Sequence, residues 1–192
     1  MDALVEQYLG NPLVLAALLF LANFVMEEGA IIAGAGLAAA GEISTELALV
    51  ALVTGNIVSD LALYGIGALA ATSGLVRRWV DGAMLERGRR LLDRGVWPAA
   101  MLARVLPPVF MASGFVRVDF RRFAIANGVV AAVYTVALFY GAFGINLVLF
   151  DLLGNWAWLA IAGLVAGVVW LGHRFTVRYF ASDKDDEGGT ED

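Results

Sequence analysis

Residues 98–122 read PAAMLARVLPPVFMASGFVRVDFRR. The segment begins apolar, but Arg104 and then Pro107-Pro108 interrupt it before it reaches the roughly 20 apolar residues that a helix needs to cross a bilayer. Proline removes a backbone donor and disfavours helical geometry in the residue before it. A short, broken apolar segment is tolerated in a membrane only where it is buried in protein or lines a wet cavity. We therefore expect a re-entrant hairpin over about residues 98–117. Its hairpin-breaking residues are Pro107, Pro108 and Gly114.

The composition of the whole chain indicates a membrane protein. Of its 192 residues 60% are hydrophobic and 16% are charged, whereas soluble domains have about 45–50% apolar and 25% charged residues. Cysteine is absent and histidine occurs once, which excludes disulfides, thiolate sites and histidine-cluster metal sites. A net charge of −5 argues against a nucleic-acid partner, because phosphate contacts need a basic surface. The sequence predicts an integral membrane protein with no cofactor and no metal.

The other apolar stretches differ in length. Residues 47–72, 123–150 and 156–172 are long enough, or nearly so, to span a bilayer as helices. Residues 12–26 could span the bilayer or lie in its interface. Residues 30–40 are too short to span, follow Glu27-Glu28 and contain two glycines. They predict another re-entrant hairpin, over about residues 23–42.

The distribution of arginine sets the orientation. Residues 1–76 contain no Lys or Arg, whereas residues 77–181 contain twelve arginines. Arginine-rich loops stay on the cytoplasmic side, so the loop 73–97 and the C-terminus are expected there. Hairpin 98–117 then enters from the cytoplasm, and hairpin 23–42 enters from the opposite side. Stretch 47–72 crosses inward and stretch 123–150 crosses outward.

The predicted architecture is an all-α polytopic membrane protein. It has two inverted-repeat units, each a re-entrant hairpin followed by a transmembrane helix, plus a final transmembrane helix. This arrangement is typical of transporters whose sites lie where broken segments meet. Residues 1–181 form a single transmembrane domain in this interpretation. Residues 182–192 carry six acidic residues and no apolar side chain to bury, so they are expected to be a disordered tail.

Charged residues in apolar stretches are the candidate site residues, because charge at membrane depth is costly and usually functional. A carboxyl group removed from water takes up a proton more readily than one in water. Glu27, Glu28 and Asp60 are therefore the predicted proton-coupling residues. An arginine fork matches the geometry of phosphate. Arg104, with Arg117 near the cytoplasmic mouth, is the predicted phosphate-binding pair.

Structural interpretations of the same residues stay open. Either glutamate could face interfacial water, and Asp60 could form an ion pair with Arg104. Arg117, with Arg121 and Arg122, could mark the cytoplasmic interface and contact lipid phosphates. No histidine lies near a serine in sequence, and no paired carboxylates match a hydrolase signature. The chain is therefore not expected to be an enzyme.

Two segments resemble the DedA family, which carries the VTT or SNARE-associated Golgi domain. Residues 103–123, ARVLPPVFMASGFVRVDFRRF, are similar to the family's second hairpin. The residues in register are Arg104, Pro107, Gly114, Arg117, Phe123 and the pair Asn127-Gly128. Residues 55–67 resemble the family helix that contains Gly-Asp, Tyr and Ile-Gly, here with Asp60 and Tyr64. Phe110 stands where the family has a further arginine, Pro108 replaces a glycine, and the first hairpin lacks its prolines.

The resemblance implies two facing re-entrant hairpins and a transporter that moves lipid between leaflets of the cytoplasmic membrane. The implied substrates are polyprenyl-phosphate carriers or phospholipids, often with proton or sodium coupling, in membrane homeostasis. The expected partners are thus a lipid with an anionic phosphate head group and protons or sodium, with a homodimer left open. The alternatives are a proton-coupled small-ion or drug antiporter on the same carboxylates, and a membrane scaffold that transports nothing.

Overall fold

The computed structural model describes residues 11–73, Gly95, residues 108–167 and Trp170, and these residues are helical or connect helices, with no strand among them. The helices are α1 Pro12–Ala22, α2 Glu27–Ala39, α3 Thr45–Ala70, α4 Pro108–Phe115 and α5 Phe120–Leu153. A 3₁₀ turn, Gly154–Trp156, leads into α6, Ala157–Gly167. The predicted all-helical class is confirmed for this part of the chain. Arg104, Pro107, most of the arginine-rich loop and the acidic tail 182–192 lie outside the described residues.

Helices α3 and α5 are long and apolar enough to cross a membrane. They contain 26 and 34 residues, and at about 1.5 Å per residue both exceed a hydrocarbon core of about 30 Å. Of the most apolar 18-residue stretch in each helix, only 33% is buried in α3 and only 17% in α5. Large apolar side chains of α5 are exposed instead, among them Ile125, Val129 and Val133. A surface this apolar is suited to lipid rather than to water, and the two long predicted spans are confirmed as helices.

By its contacts the chain divides into two compact units. The terminal unit consists of residues 1–48 and 138–192, and the central unit consists of residues 49–137. Helices α1, α2 and α6 belong to the terminal unit, and α4 belongs to the central unit. Helices α3 and α5 each contribute to both.

In the terminal unit, α1 and α2 form a helical hairpin. Asn11 caps α1 by accepting a hydrogen bond from the backbone N–H of Leu13 at 2.9 Å, and Pro12 takes the first helical position, where no backbone donor is required. Four residues, 23–26, join the two helices, which contact each other. Residues 23–42, predicted as a re-entrant hairpin, thus hold a connection, the single uninterrupted helix α2 and a turn, and the hairpin in this unit is formed by α1 with α2. Re-entry into the membrane stays a prediction.

In the central unit, α3 and α5 run in opposite directions. Successive partners along α3 lie progressively earlier on α5: Asn56 contacts Thr135, Asp60 contacts Asn127, and Tyr64 stacks on Phe123. Their antiparallel course agrees with the predicted inward and outward crossings. The buried apolar cluster of this unit consists of Val109, Phe110 and Phe123, and Leu61, Leu63, Tyr64 and Val118 pack against it.

One local motif occurs twice among the described residues. At the end of α2, Glu42 N–H donates to Leu37 O and Gly41 N–H donates to Ala38 O, with Gly41 at a φ of 78°. At the end of α4, Val118 N–H donates to Ser113 O and Arg117 N–H donates to Gly114 O, with Arg117 at a φ of 58°. Both are Schellman turns, which close a helix through a residue in the left-handed conformation.

The helix that follows each turn is capped in the same way. Ser44 Oγ accepts a hydrogen bond from Leu47 N–H at the start of α3, and Asp119 Oδ1 accepts one from Arg122 N–H at the start of α5. In the part of the chain that the structure describes, a short helix, a left-handed turn, a side-chain cap and a helix of membrane-spanning length therefore follow one another twice.

Candidate transport site

Asp60 is buried in the central unit and hydrogen-bonded across two helices. Its exposed fraction is 3%, and its Oδ2 accepts a hydrogen bond of 3.1 Å from Nδ2 of the fully buried Asn127. A buried carboxylate is stable only where donors replace its lost hydration. Asn127 supplies one of them from α5, so the position of the carboxyl group depends on both helices.

A further polar contact joins the same helices two turns along α5. Nδ2 of Asn56 donates to Oγ1 of Thr135 at 2.8 Å, and both side chains are fully buried. Asn56 precedes Asp60 by one helical turn, so the two polar side chains of α3 lie on the same face. The buried residues Asn56, Asp60, Asn127 and Thr135 are called the polar seam below. It fixes the register of α3 against α5.

Aromatic packing closes the polar seam beyond Asp60. Tyr64, one turn further along α3, donates from its hydroxyl to the carbonyl oxygen of Val118 at 2.6 Å. Its ring stacks on Phe123 at a centroid distance of 4.7 Å and contacts Phe120 at 5.5 Å. Tyr64 thereby ties α3 to the connection between α4 and α5, next to Arg117.

Two glycines allow α3 and α4 to touch through their backbones. A Cβ added to Gly114 would lie 1.9 Å from Tyr64 O, and one added to Gly67 would lie 1.9 Å from Met111 O. Neither position has room for a side chain. Gly114 lies inside α4, near its end, so the structure assigns it a close helix contact. Its predicted part in breaking the hairpin stays a prediction, and Pro108 begins α4, a position that proline favours.

Arg117 is exposed and holds a backbone conformation that glycine normally occupies. Its φ of 58° places it at the left-handed position of the Schellman turn after α4. For a residue with a Cβ this conformation costs about 1–2 kcal/mol. Arg121 and Arg122 follow in the first turn of α5 and are also exposed, so three guanidinium groups lie close together in sequence around the turn.

Substitution of Arg117 separates its backbone role from its charge. We expect Arg117→Gly to raise the thermal unfolding temperature, because the strain it relieves exceeds the extra conformational entropy that glycine loses on folding, a net gain of up to about 1 kcal/mol. Arg117→Ala removes the same charge and keeps the strain, so it serves as the matched control. Thermal unfolding of both variants in detergent measures the difference. An Arg117→Gly variant no more stable than Arg117→Ala would contradict strain at this residue.

Glu27 and Glu28 belong to the terminal unit and occupy the first turn of α2. Both are half-buried. The helix begins after Met26, whose side chain provides no cap. Negative charge in a first helical turn is favoured by the helix dipole, so the two glutamates also stabilise the start of α2. The part of either residue in proton coupling stays a prediction.

Comparison with protein-family models shows which family has this arrangement. The VTT domain matches residues 12–144, which is more than half of the chain. The chain belongs to the VTT-domain family. The resemblance to the DedA and SNARE-associated Golgi proteins is thus confirmed, and with it a membrane protein of that family. Comparisons with curated proteins and with solved structures gave no match.

Phe110 departs from the pattern expected of a VTT-domain protein. The family resemblance places an arginine here, but the Phe110 side chain is buried and meets Phe123 edge to face at a centroid distance of 6.2 Å. An arginine in this apolar cluster would need a charged or polar partner. The central unit of this chain therefore uses the position for packing.

Some of the predicted site residues of this VTT-domain protein belong to the same unit. Asp60, Gly114, Arg117 and the start of α4 at Pro108 all belong to the central unit, whereas Glu27 and Glu28 belong to the terminal unit. Arg104 and Pro107 lie outside the described residues. Within the described part of the chain, no group of three histidine, cysteine or acidic side chains is placed to hold a metal ion.

Sequence reasoning based on charge missed several buried asparagines. Asn127 entered only as part of a family motif, and Asn56 was given no predicted role. Asn23 and Asn146 were not singled out, yet both are buried, and the Oδ1 atom of each has no hydrogen-bond partner within the described residues. Uncharged amides inside apolar stretches were the available signal, since they too are costly to bury without partners.

Proposed function

We propose that this VTT-domain protein moves a lipid with an anionic phosphate head group between the leaflets of the cytoplasmic membrane. The lipid is a polyprenyl-phosphate carrier or a phospholipid, and protons or sodium ions drive the movement. One observation carries the proposal: Asp60 is buried at a helix contact, held by Asn127, between two antiparallel helices of membrane-spanning length. Burying a carboxyl group at such a position costs free energy, and an ionisable residue kept there in a membrane protein usually has a function.

The repeated motif supports the predicted inverted repeat. Each copy sets a short helix, closed by a Schellman turn, before a capped helix of membrane-spanning length. This is the order expected of a re-entrant hairpin followed by a transmembrane helix. Transporters built from such repeats bind substrate near the midplane and expose it to either side in turn.

The proposed roles follow the chemistry of each side chain. Asp60, with Glu27 or Glu28, takes up and releases the coupling ion. Arg104 and Arg117 bind the phosphate of the head group, for which a guanidinium fork is better suited than an ammonium group. The C-terminus lies in the cytoplasm, following the arginine distribution.

Lipid translocation in proteoliposomes tests the proposal. A fluorescent polyprenyl-phosphate analogue and a fluorescent phospholipid are chased with a membrane-impermeant quencher, with and without a pH or sodium gradient. We expect the wild-type protein to translocate one of these two lipids. The gradient should accelerate translocation, because the buried carboxyl group couples movement of the ion to movement of the lipid. Arg104→Ala and Glu27→Gln/Glu28→Gln should each slow it at least about tenfold.

Other results would contradict lipid transport. Gradient-driven proton flux that persists in liposomes without a phosphate lipid carrier, with no lipid translocation, would favour the antiporter. Charge-neutral variants that complement a deletion strain as well as the wild type would favour a scaffold.

A further inference from the structure

Asn146 is a buried amide of the terminal unit, distinct from the polar seam. It lies on α5, its side chain is fully buried, and its Nδ2 donates to the backbone carbonyl oxygen of Ile32 on α2 at 3.4 Å. Turning the amide over would set two oxygen atoms against each other, so this hydrogen bond fixes which side of the group carries Oδ1. Oδ1 itself has no hydrogen-bond partner within the described residues. A buried amide oxygen in this position costs free energy unless a donor reaches it.

Glycines leave the backbone of α2 bare beside this amide. Gly34 and Gly36 are buried, and a Cβ added to Gly36 would lie 3.6 Å from Nδ2 of Asn146 and 3.3 Å from Cδ1 of Ile161. Glycine has no side chain to screen the backbone, which lets other groups approach it closely. Each helix carbonyl group keeps a second lone pair that can accept a further hydrogen bond. The contact therefore offers acceptors around an oxygen that still needs a donor.

The donor does not come from a charged side chain in the described part of the terminal unit. Those residues include no lysine, arginine or histidine. Beyond the first turn of α2, the backbone N–H groups are engaged in the hydrogen bonds of the helix itself. A small molecule is the donor that this contact can still take.

A water molecule fits these atoms better than a metal cation does. Water needs only two to four polar partners, and it can donate to Oδ1 and to a helix carbonyl group at once. Membrane proteins hold alkali cations with carbonyl groups of unwound or looped backbone, which converge on the ion. Helix α2 is unbroken from Glu27 to Ala39, so its carbonyl groups point along the helix axis and do not converge.

The contact with Asn146 lies on the face of α2 that begins with Glu28. Glu28, Ile32 and Gly36 recur every four residues, so they share one face of the helix. Glu27 precedes Glu28 by one residue and is turned to another face. One helical turn, about 6 Å along the axis, separates Glu28 from Ile32.

We propose that Asn146 binds a water molecule between α2 and α5, and that this water exchanges the coupling proton with Glu28. The acid form of Glu28 gives its proton to hydrogen-bonded water at this site and is left as a carboxylate. The hydronium ion so formed passes a proton on to solvent. The proton step deepens the proposed function and rests on it, whereas the water site stands without it.

Hydroxyl-radical footprinting of the full-length protein in liposomes detects the bound water. Radiolysis of a bound water produces radicals that oxidise the side chains beside it. Ile32 and Ile161 are each only 4% exposed, so bulk radicals do not reach them, and we expect both to be oxidised by radicals formed at this site. Asn146→Leu, which replaces the amide by an apolar side chain of similar size, should lower this oxidation at least about fivefold. Tyr140→Phe, which removes an exposed hydroxyl group from the same helix, should leave it unchanged.

Lipid translocation in proteoliposomes, driven by a pH gradient, tests the proton step. Glu28→Gln and Asn146→Leu should each slow translocation at least about fivefold. The double variant should be no slower than Glu28→Gln alone, because both substitutions remove the same proton transfer. Losses that multiply in the double variant would contradict a shared step.

Other results would overturn the water site. Ile32 and Ile161 that stay unoxidised in the wild-type protein would do so without reference to any variant. So would a thermal unfolding temperature that is higher in sodium chloride than in choline chloride for the wild type but not for Asn146→Leu, since it would show a cation at this oxygen. Oxidation that depends on Asn146 in a protein that moves no lipid would uphold the water site and refute the proposed function.

Discussion

Replacing Gly114 by alanine should separate α3 from α4 and destabilise the central unit. The new methyl group would lie 1.9 Å from Tyr64 O and 2.8 Å from Ala68 N, both backbone atoms of α3. No rotamer change can relieve such a contact, so the helices must move apart. We expect a loss of at least about 2 kcal/mol in the free energy of unfolding, in the range of overpacked cores.

Gly67 makes the reciprocal contact and should behave alike. Its added Cβ would lie 1.9 Å from Met111 O, so Gly67→Ala pushes the same two helices apart from the other side. Both substitutions disrupt the same close contact between α3 and α4. Once one of them has separated the helices, the other costs little more. The double variant should therefore lose less stability than the sum of the single variants.

The chain contains matched controls for both substitutions. Gly65 lies on α3 and Gly128 on α5, and an added Cβ at either would meet nothing within 4 Å. Alanine is favoured over glycine inside a helix by about 1 kcal/mol, so both control variants should be as stable as the wild type or more stable. Thermal unfolding in detergent, followed by tryptophan fluorescence, compares the four single variants and the double variant. Wild-type stability in Gly114→Ala would contradict the close approach of α3 and α4.

The two long helices of this protein, α3 and α5, could be predicted from sequence, because their signals are local. The long apolar stretches predicted each end of α3 and α5 to within three residues. Asp60 could be proposed as a candidate site residue, because a charge within an apolar stretch is conspicuous in the sequence, and its role in transport stays a prediction. The family motif around Arg104 and Gly114 is likewise contained in about twenty residues.

The partners of these residues could not be predicted, because they depend on packing between distant segments. Asn127 is 67 residues from Asp60, and Thr135 is 79 residues from Asn56. No periodicity relates such pairs. The left-handed conformation of Arg117 was equally hidden, since the sequence signal for a Schellman turn is glycine and this turn has arginine.

Replacing Asp60 by asparagine should stop coupled transport while leaving the fold intact. Asparagine has nearly the same shape, and its Oδ1 can still accept the hydrogen bond from Nδ2 of Asn127. The variant cannot take up or release a proton. We therefore expect gradient-driven lipid translocation at least about tenfold slower than the wild type, equivalent to at least about 1.4 kcal/mol on the barrier.

Glu46→Gln is the matched control for the loss of charge. Glu46 is an exposed acid in the first turn of α3, so its substitution changes the net charge of the same helix by the same amount without touching the polar seam. It should translocate lipid at the wild-type rate. Translocation measured in proteoliposomes, together with thermal unfolding of each variant, separates transport from stability. Wild-type transport by Asp60→Asn would remove this residue from the coupling mechanism.

Exchanging the two partners tests whether the carboxyl group must lie on α3. In the double variant Asp60→Asn/Asn127→Asp, an amide and a carboxyl group still face each other across the same helix contact, so stability should stay within about 1 kcal/mol of the wild type. The carboxyl group now belongs to α5, and its other surroundings differ from those of the original. If the polar seam only fixes helix register, Asp60→Asn and the exchanged protein both transport at the wild-type rate. If Asp60 carries the coupling ion from α3, the exchanged protein folds normally and transports no faster than Asp60→Asn, which is the result we expect.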